Sequence, residues 1–142
     1  MLRRVTATTS SWVPVPLRLA LGTAFIGHGA QKVLGSFNGP GFAKFTSFPA
    51  PFPFMRPAWL WMGAAAVSEF IGGILVLLGL FTRAGAFLIT CVMLTAIFGV
   101  LWPKFFAPEG MELAIAFLSM ALALLIAGGG QASIDRMIGR RR

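Results

Sequence analysis

The chain has 142 residues, of which 57% are hydrophobic and 11% are charged, and its mean hydropathy is +0.83. An average soluble domain carries about 25% charged residues, so this composition excludes an ordinary soluble protein and predicts a membrane protein of about one domain. The formal net charge of +8 does not indicate nucleic-acid binding, because the basic residues form no stripe interleaved with aromatics and several stand at the ends of apolar segments.

Four apolar segments follow one another along the chain, separated by glycine, proline and charged residues. Their lengths of about 18 to 23 residues correspond to roughly 27 to 35 Å of α-helix, which matches a hydrocarbon core of about 30 Å. The sequence therefore predicts an all-α, integral membrane four-helix bundle in a single domain, residues 1–142. Its transmembrane helices are predicted at about residues 15–34, 58–80, 84–101 and 109–127.

The first predicted helix begins near Val15, with Trp12 as an interfacial anchor and Pro16 in the first turn, where a missing N–H costs nothing. A cleaved signal peptide is disfavoured because its apolar region would have to include Arg18 and His28, and no small-x-small cleavage site follows. We therefore expect this helix to stay in the membrane.

The first connection, residues 35–57, is predicted to be an external loop and contains six phenylalanines and several prolines. This composition predicts neither a flexible polar linker nor a helix. Two interpretations stay open: the loop lies in the headgroup region, or it forms a lid over a cavity between helices. The later connections, "FTR" and "WPKFFAP", are short and predict antiparallel neighbouring helices.

Charge beside the helix ends predicts the orientation in the membrane, because lysine and arginine are enriched on the cytoplasmic side. One side carries seven such residues and the other carries four, so both termini are predicted to be cytoplasmic. The basic C-terminal tail, residues 131–142, predicts a short amphipathic turn with Ile134, Met137 and Ile138 facing lipid. The first set is Arg3, Arg4, Arg83, Arg136, Arg140, Arg141 and Arg142; the second is Lys32, Lys44, Arg56 and Lys104.

Polar residues inside the apolar segments are the candidates for chemistry. Glu69 lies at the middle of the second helix, where a lone carboxylate costs about 2.5 to 3.5 kcal/mol, so it is expected to be paired, protonated or water-exposed. Arg18, His28 and Lys32 share one face of the first helix. Arg18 is close enough to the cytoplasmic interface for its side chain to snorkel, and His28 is expected to point into the bundle. Either Arg18 or His28 is predicted to reach Glu69.

Three further residues are candidates for ligand binding. Gln31 and Lys32 belong to the outer end of the first helix, and Glu112 opens the fourth helix, where it can pair with Lys104 or Lys32. Two interpretations of the polar residues stay open: the cluster His28, Glu69 and Arg18 fixes helix register, or it is proton-active and binds a ligand.

Other chemistry has little support in the sequence. A haem is disfavoured because one histidine supplies one axial ligand, and no metal-ligand cluster is present. Cys91 stands alone in the third helix and is interpreted as a packing residue. The chain has no P-loop, dinucleotide-binding fingerprint or nucleophile elbow.

The segments "LRLALGTAFIGHGAQKVLG", "EFIGGILVLLGLFTRAGAFLI", "MLTAIF" and "PEGMELAIAFLSMALALL" together resemble the DoxX family of small four-helix membrane proteins. The resemblance implies the four-helix fold, the label of oxidoreductase, and association with quinol oxidase, thiosulfate:quinone oxidoreductase or oxidative-stress assemblies. It covers about Leu17 to Gly130. The matching residues are Arg18, His28, Gly29, Lys32, Glu69, Gly72, Gly73, Gly79, Arg83 and Glu112.

The chain is therefore interpreted as an accessory subunit of a redox or quinone-linked system in the cell membrane, where it crosses the bilayer several times. A quinone is its candidate cofactor, and its expected partners are lipid and either other redox subunits or a second copy. One alternative is a structural or assembly subunit without chemistry of its own. The other is a small proton-coupled transporter, which is disfavoured because four helices without a repeat offer little machinery for alternating access.

Overall fold

The computed structural model describes residues 6–106, 108 and 110–140, and in this part of the chain every regular element is a helix. The α-helices are α1 (Pro14–Val33), α2 (Gly41–Thr46), α3 (Ala58–Leu78), α4 (Thr82–Ala96), α5 (Glu112–Ala127) and α6 (Ile134–Arg140). The long helices are α1, α3, α4 and α5, and π-helical backbone at Ile97–Leu101 continues α4. A 3-10 turn, Ser36–Asn38, precedes α2.

The start of α5 differs from its predicted position by three residues. The N–H groups of Met111 and Glu112 donate to the carbonyls of Lys104 and Phe105, both at 3.0 Å, so the preceding residues close a turn instead of extending the helix. Glu109, the predicted first residue, lies outside the described residues. The same holds for four of the arginines in the charge count, Arg3, Arg4, Arg141 and Arg142.

The long helices pack in a ring: α1 on α3, α3 on α4, α4 on α5, and α5 back on α1. Their shared core consists of apolar side chains that are almost fully buried, such as Phe25, Ile89 and Leu124. Large apolar side chains are also exposed on the outside, for example Phe98 at 60% and Ile126 at 77%. Exposed apolar surface on this scale is unusual for a water-facing protein and suits contact with lipid.

Close contact between α1 and α3 depends on glycine. A Cβ added at Gly29 would lie 2.5 Å from the Phe70 Cα atom, and one added at Gly73 would lie 2.7 Å from the Ile26 nitrogen. These separations are too short for any side chain, so the two backbones touch at both positions. The contacts determine which residues of α1 stand beside which residues of α3.

Both chain ends meet the same end of the helices. Thr9 donates to the Ala127 carbonyl (3.0 Å), and Gln131 donates to the Ser11 carbonyl (2.8 Å). Asp135 donates through its backbone to Gly79, where α3 ends (2.9 Å). The loop at residues 35–57 and the π-helical segment lie at the opposite end.

The prediction that the first loop contains no helix was wrong, since α2 forms within it. The Phe42 ring and the Thr46 methyl group pack against Gly63 of α3, and the Thr46 hydroxyl donates to the Phe42 carbonyl at 2.9 Å. This packing gives a short helix the tertiary support that its sequence does not supply.

Two helices of the described chain are long and apolar enough to cross a membrane, Ala58–Leu78 and Thr82–Leu101. The helix at Glu112–Ala127 is apolar but shorter.

Candidate functional site

A cavity of about 800 Å³ lies beneath the first loop, between α3 and α4. Most of its lining is apolar or aromatic, and five polar side chains reach it. A volume of this size falls in the range of about 300 to 1,000 Å³ that is typical of small-molecule sites. The polar lining residues are Lys32, Ser68, Glu69, Cys91 and Thr95; the largest apolar ones are Phe45, Phe48, Met55, Trp61 and Met62.

The cavity exists because α3 and α4 touch at one end and are apart at the other. A Cβ added at Gly85 would lie 2.9 Å from the Gly72 carbonyl oxygen, so the backbones are in contact there. The lining begins at Glu69 on α3, about one turn from Gly72, and at Cys91 on α4, nearly two turns from Gly85. The α4 side continues into the π-helical segment, a backbone form that is rare and is often found at functional sites.

The first loop covers this cavity, which agrees with the second of its two interpretations. Phe45 and Phe48 line the cavity from the loop side. Pro51 packs so closely on the π-helical segment that a Cβ added at Gly99 would lie 2.6 Å from it. The loop is therefore held against the helices on both sides of the cavity.

Lys32 and Glu69 form an ion pair on the cavity wall, in which the Lys32 ammonium donates to both carboxylate oxygens. The Glu69 side chain is 4% exposed and the Lys32 side chain 24%. Lys32 Nζ also lies 5.2 Å from the centroid of the Phe45 ring, a cation–π contact that ties the loop to the pair.

The prediction that Arg18 or His28 pairs with Glu69 was wrong, and helix register explains why. The contact of Gly29 with Phe70 aligns this level of α1 with the turn of α3 that carries Glu69. Lys32 comes less than one turn after Gly29, so it reaches the carboxylate. Arg18 lies 14 residues before Lys32, which is about 21 Å along a helix.

This arrangement can hold an amphiphilic molecule with a polar end and an apolar body. An ammonium group offers three hydrogen-bond donors, a carboxylate offers acceptors and can take a proton, and most of the other lining residues are apolar. Among the described residues, no group of three or more His, Cys, Asp or Glu side chains is placed to hold a metal ion.

Comparison with known families decides the assignment. The sequence model of the DoxX family matches residues 13–102, which is more than half of the chain and includes every residue that lines the cavity. The chain belongs to the DoxX family. It is therefore a membrane protein, as its composition predicts. Neither the comparison with curated proteins nor the comparison with solved structures found a match.

Arg18 of this DoxX protein is far from the cavity and does not snorkel to the interface, contrary to the prediction. Its side chain is buried and donates four hydrogen bonds to backbone carbonyls. The acceptor carbonyls belong to the last turn of α3 and to the segment between α5 and α6. These elements surround the guanidinium group and separate it from water. The bonds run to Val76 (2.9 Å), Leu77 (2.8 Å), Gly129 (3.0 Å) and Ala132 (2.6 Å).

His28 was predicted to point toward Glu69, and this was also wrong. Its side chain is exposed, and its ring stands edge-on to Phe25 and to Phe117 of α5, with centroids 6.3 and 6.4 Å apart. His28 therefore lies on the part of α1 that faces α5, whereas the cavity lies on the α3 side.

Gln31 and Glu112 do not line the cavity of the DoxX protein either. Gln31 is half-buried, and its backbone packs against Gly39 of the loop. Glu112 is exposed at the first turn of α5. Among the six candidate residues, Lys32 and Glu69 are the two that the structure brings together at the cavity.

Sequence reasoning missed Asp135, which holds the tail against the helices. Its carboxylate accepts from the Phe81 N–H (2.8 Å), the Thr82 N–H (2.9 Å) and the Thr82 hydroxyl (2.8 Å). These bonds satisfy the start of α4 and stabilise Phe81 in a left-handed conformation with φ of +46°, which is rare for a bulky residue. The signal available in the sequence was that the only aspartate of the chain stands in a basic tail.

The interpretation of Cys91 as a packing residue was wrong as well. Its side chain is exposed and lines the cavity. Thr95, one turn further along α4, lines the same cavity and donates through its hydroxyl to the Cys91 carbonyl at 3.0 Å. The four-residue spacing of these two polar side chains was the available signal.

Proposed function

We propose that this DoxX protein is a multi-pass protein of the cell membrane in which α1, α3, α4 with its π-helical extension, and α5 form a transmembrane four-helix bundle. Both termini lie on the cytoplasmic side in this proposal, and the first loop lies on the outer side. The exposed apolar surface and the seven-to-four count of basic residues support this arrangement.

A reporter fusion tests the orientation. A reporter that is active only in the cytoplasm should give signal when fused to the C-terminus and none when inserted at Asn38 of the loop. Signal from the Asn38 insertion would show that the loop is cytoplasmic and would overturn the orientation.

We further propose that the protein is an accessory subunit of a quinone-linked redox system and binds the quinone in the cavity under the loop. The observation that carries this proposal is the Lys32–Glu69 pair on the wall of a mostly apolar cavity of about 800 Å³. A quinone needs an apolar slot for its ring and a donor for its carbonyl oxygen, and the lining supplies both.

Each residue of the pair then has a defined role. The Lys32 ammonium would donate to a quinone carbonyl, and the Glu69 carboxylate would take a proton from the reduced form when it is oxidised and return that proton when it is reduced again. The redox centre that exchanges electrons with the quinone belongs to a partner subunit. Phe45 and Trp61 contact the ring from the loop and from α3.

Binding of a quinone analogue to the purified protein tests this function. The informative variant is the double substitution Lys32→Met with Glu69→Leu, because it removes both charges together and leaves neither one buried alone. His28→Ala is the matched control, since His28 lies outside the cavity. We expect saturable binding by the wild type and by His28→Ala, and binding weakened by about tenfold or more in the double variant.

Absence of saturable binding, with native partners both present and absent, would refute the quinone proposal. The chain would then be a structural or assembly subunit whose ion pair holds α1 against α3. Equal binding by the wild type and the double variant would refute the roles of Lys32 and Glu69.

A further inference from the structure

The first loop closes the cavity toward the outer side. It packs on three helical segments through close contacts at glycines: Gly39 on Gln31 of α1, the Phe42 ring on Gly63 of α3, and the Pro51 side chain on Gly99 of the π-helical segment. A Cβ added at Gly63 would lie 3.3 Å from the Phe42 ring, and one added at Gly99 would lie 2.6 Å from Pro51. A ligand that entered from the aqueous side would have to break all three of these packing contacts.

Two further sides of the cavity are also closed. The contact between Gly72 and Gly85 joins α3 to α4 at the inner end. The Lys32–Glu69 pair joins α1 to α3 at the rear. A ligand passing either side would have to separate packed helices or break a buried ion pair.

The fourth side, between the outer halves of α3 and α4, is open. Ala64 and Trp61 of α3, Cys91 of α4 and Val100 of the π-helical segment line the cavity and are at the same time exposed at the molecular surface. The two smallest of these, Ala64 and Cys91, stand on α3 and α4 respectively.

The surface around this opening is apolar. Val67 and Ile71 of α3 are 44% and 43% exposed, and Leu94 and Phe98 of α4 and its extension are 40% and 60% exposed. A surface of this kind faces lipid in a membrane protein. The opening therefore leads into the hydrocarbon region of the bilayer.

We propose that the ligand enters sideways from the membrane, between α3 and α4, through a portal bordered by Ala64 and Cys91. The substrate class is a lipid-dissolved amphiphile with a flat polar head and a long apolar tail. Its head lies at Lys32 and Glu69, and its tail extends through the portal into lipid. This inference rests on the proposed function for the identity of the head group and on the transmembrane placement for the surrounding lipid.

The single native cysteine tests the portal without reference to any ligand. In nanodiscs, at a pH high enough to populate the thiolate, a lipophilic N-alkylmaleimide should modify Cys91 about tenfold faster than a charged, membrane-impermeant maleimide, because the lipophilic reagent concentrates in the lipid that the thiol faces. Faster modification by the charged reagent would show that water reaches Cys91 and would overturn the portal.

The association and dissociation rates of a quinone analogue then test the portal independently of the binding site. Ala64→Phe fills the portal from an exposed position, and Ala116→Phe, on the exposed surface of α5, is the matched control. For a long-tailed quinone analogue we expect Ala64→Phe to slow association and dissociation by about tenfold and Ala116→Phe to change neither. A tail-less analogue should bind Ala116→Phe with the affinity of the wild type, and Ala64→Phe should slow it less than it slows the long-tailed analogue, because no tail has to pass between α3 and α4.

The outcomes distinguish the two proposals. If the wild type binds the analogue and Ala64→Phe leaves both rates unchanged, the portal is wrong and the quinone site stands. If the wild type binds no quinone while Cys91 reacts preferentially with the lipophilic reagent, the quinone assignment fails. The portal then stands for another lipid-dissolved ligand if Ala64→Phe slows that labelling, and unchanged labelling of Ala64→Phe would overturn the portal as well.

Discussion

The Lys32–Glu69 pair predicts an asymmetric double-mutant cycle. Lys32→Met leaves a carboxylate that is 4% exposed without its partner, and an uncompensated buried charge of this kind costs about 3 to 5 kcal/mol. Glu69→Leu leaves an ammonium on a side chain that is 24% exposed and that keeps its contact with the Phe45 ring. Because this cation retains access to polar surroundings, we expect a smaller loss, about 1 to 2 kcal/mol.

The double variant should be far more stable than the sum of the two losses implies. Replacing both members of a buried ion pair by apolar side chains of similar volume is often neutral or stabilising, because no charge is left to desolvate. We therefore expect Lys32→Met with Glu69→Leu to lie within about 1 kcal/mol of the wild type in free energy of unfolding. The interaction free energy from the cycle would then be at least about 3 kcal/mol.

Reversible unfolding in mixed micelles measures all four corners of the cycle. Lys44→Met is the matched control, since Lys44 is an exposed lysine on α2, and its replacement should change stability by less than about 0.5 kcal/mol. The reasoning is refuted if the two single losses simply add in the double variant. It is also refuted if Glu69→Leu destabilises more than Lys32→Met, because the carboxylate would then not be the more deeply buried partner.

Three other substitutions test the rest of the structure. Arg18→Met removes four hydrogen bonds to backbone carbonyls and should lower the free energy of unfolding by at least about 3 kcal/mol; wild-type melting would show that these carbonyls find other donors. Gly29→Ala places a Cβ 2.5 Å from the Phe70 Cα atom and should lower the free energy of unfolding by about 1 to 3 kcal/mol. The matched control is Gly27→Ala, whose Cβ meets nothing within 4 Å and which should not lower it. Equal losses of stability in the two variants would contradict the close contact of α1 with α3. Asp135→Ala removes the cap of α4 and should cost about 0.5 to 2 kcal/mol and speed proteolysis of the tail; an unchanged cleavage rate would contradict the attachment of α6.

The long helices were predictable because hydropathy and helix length are local properties of a sequence. The predicted starts near Val15 and Ala58 differ from those of α1 and α3 by at most one residue. The short helix α2 was not predictable, because its six residues depend on packing against Gly63. A segment of that length has too few internal hydrogen bonds to form a helix without tertiary contacts.

The candidate site was partly predictable, because the spacing of residues within one helix is also a local property of the sequence. The four-residue spacing of His28 and Lys32 placed both on one side of α1, and the apolar context marked Glu69 as a residue in need of a partner. Choosing that partner requires the axial offset between two helices, which spacing within one helix does not contain. The offset is determined by the contacts of Gly29 and Gly73, where the backbones of α1 and α3 touch.

Arg18 and Asp135 show why the contacts at the end of the helices away from the cavity were harder to predict than the cavity itself. Both side chains bind main-chain groups, and Asp135 also bonds the Thr82 hydroxyl. A backbone carbonyl or N–H carries no residue identity, so a search for complementary side chains leaves these partners out. The last turn of a helix offers unpaired carbonyls and the first turn offers unpaired N–H groups, whatever the sequence.

The ends of neighbouring helices are therefore candidate hydrogen-bond partners for a buried ionisable residue, and they should be considered together with side chains of opposite charge. By that reasoning, the expected hydrogen-bond partner of Arg18, near one end of α1, is the last turn of α3. The expected ion-pair partner of Glu69 is then Lys32, near the other end of α1.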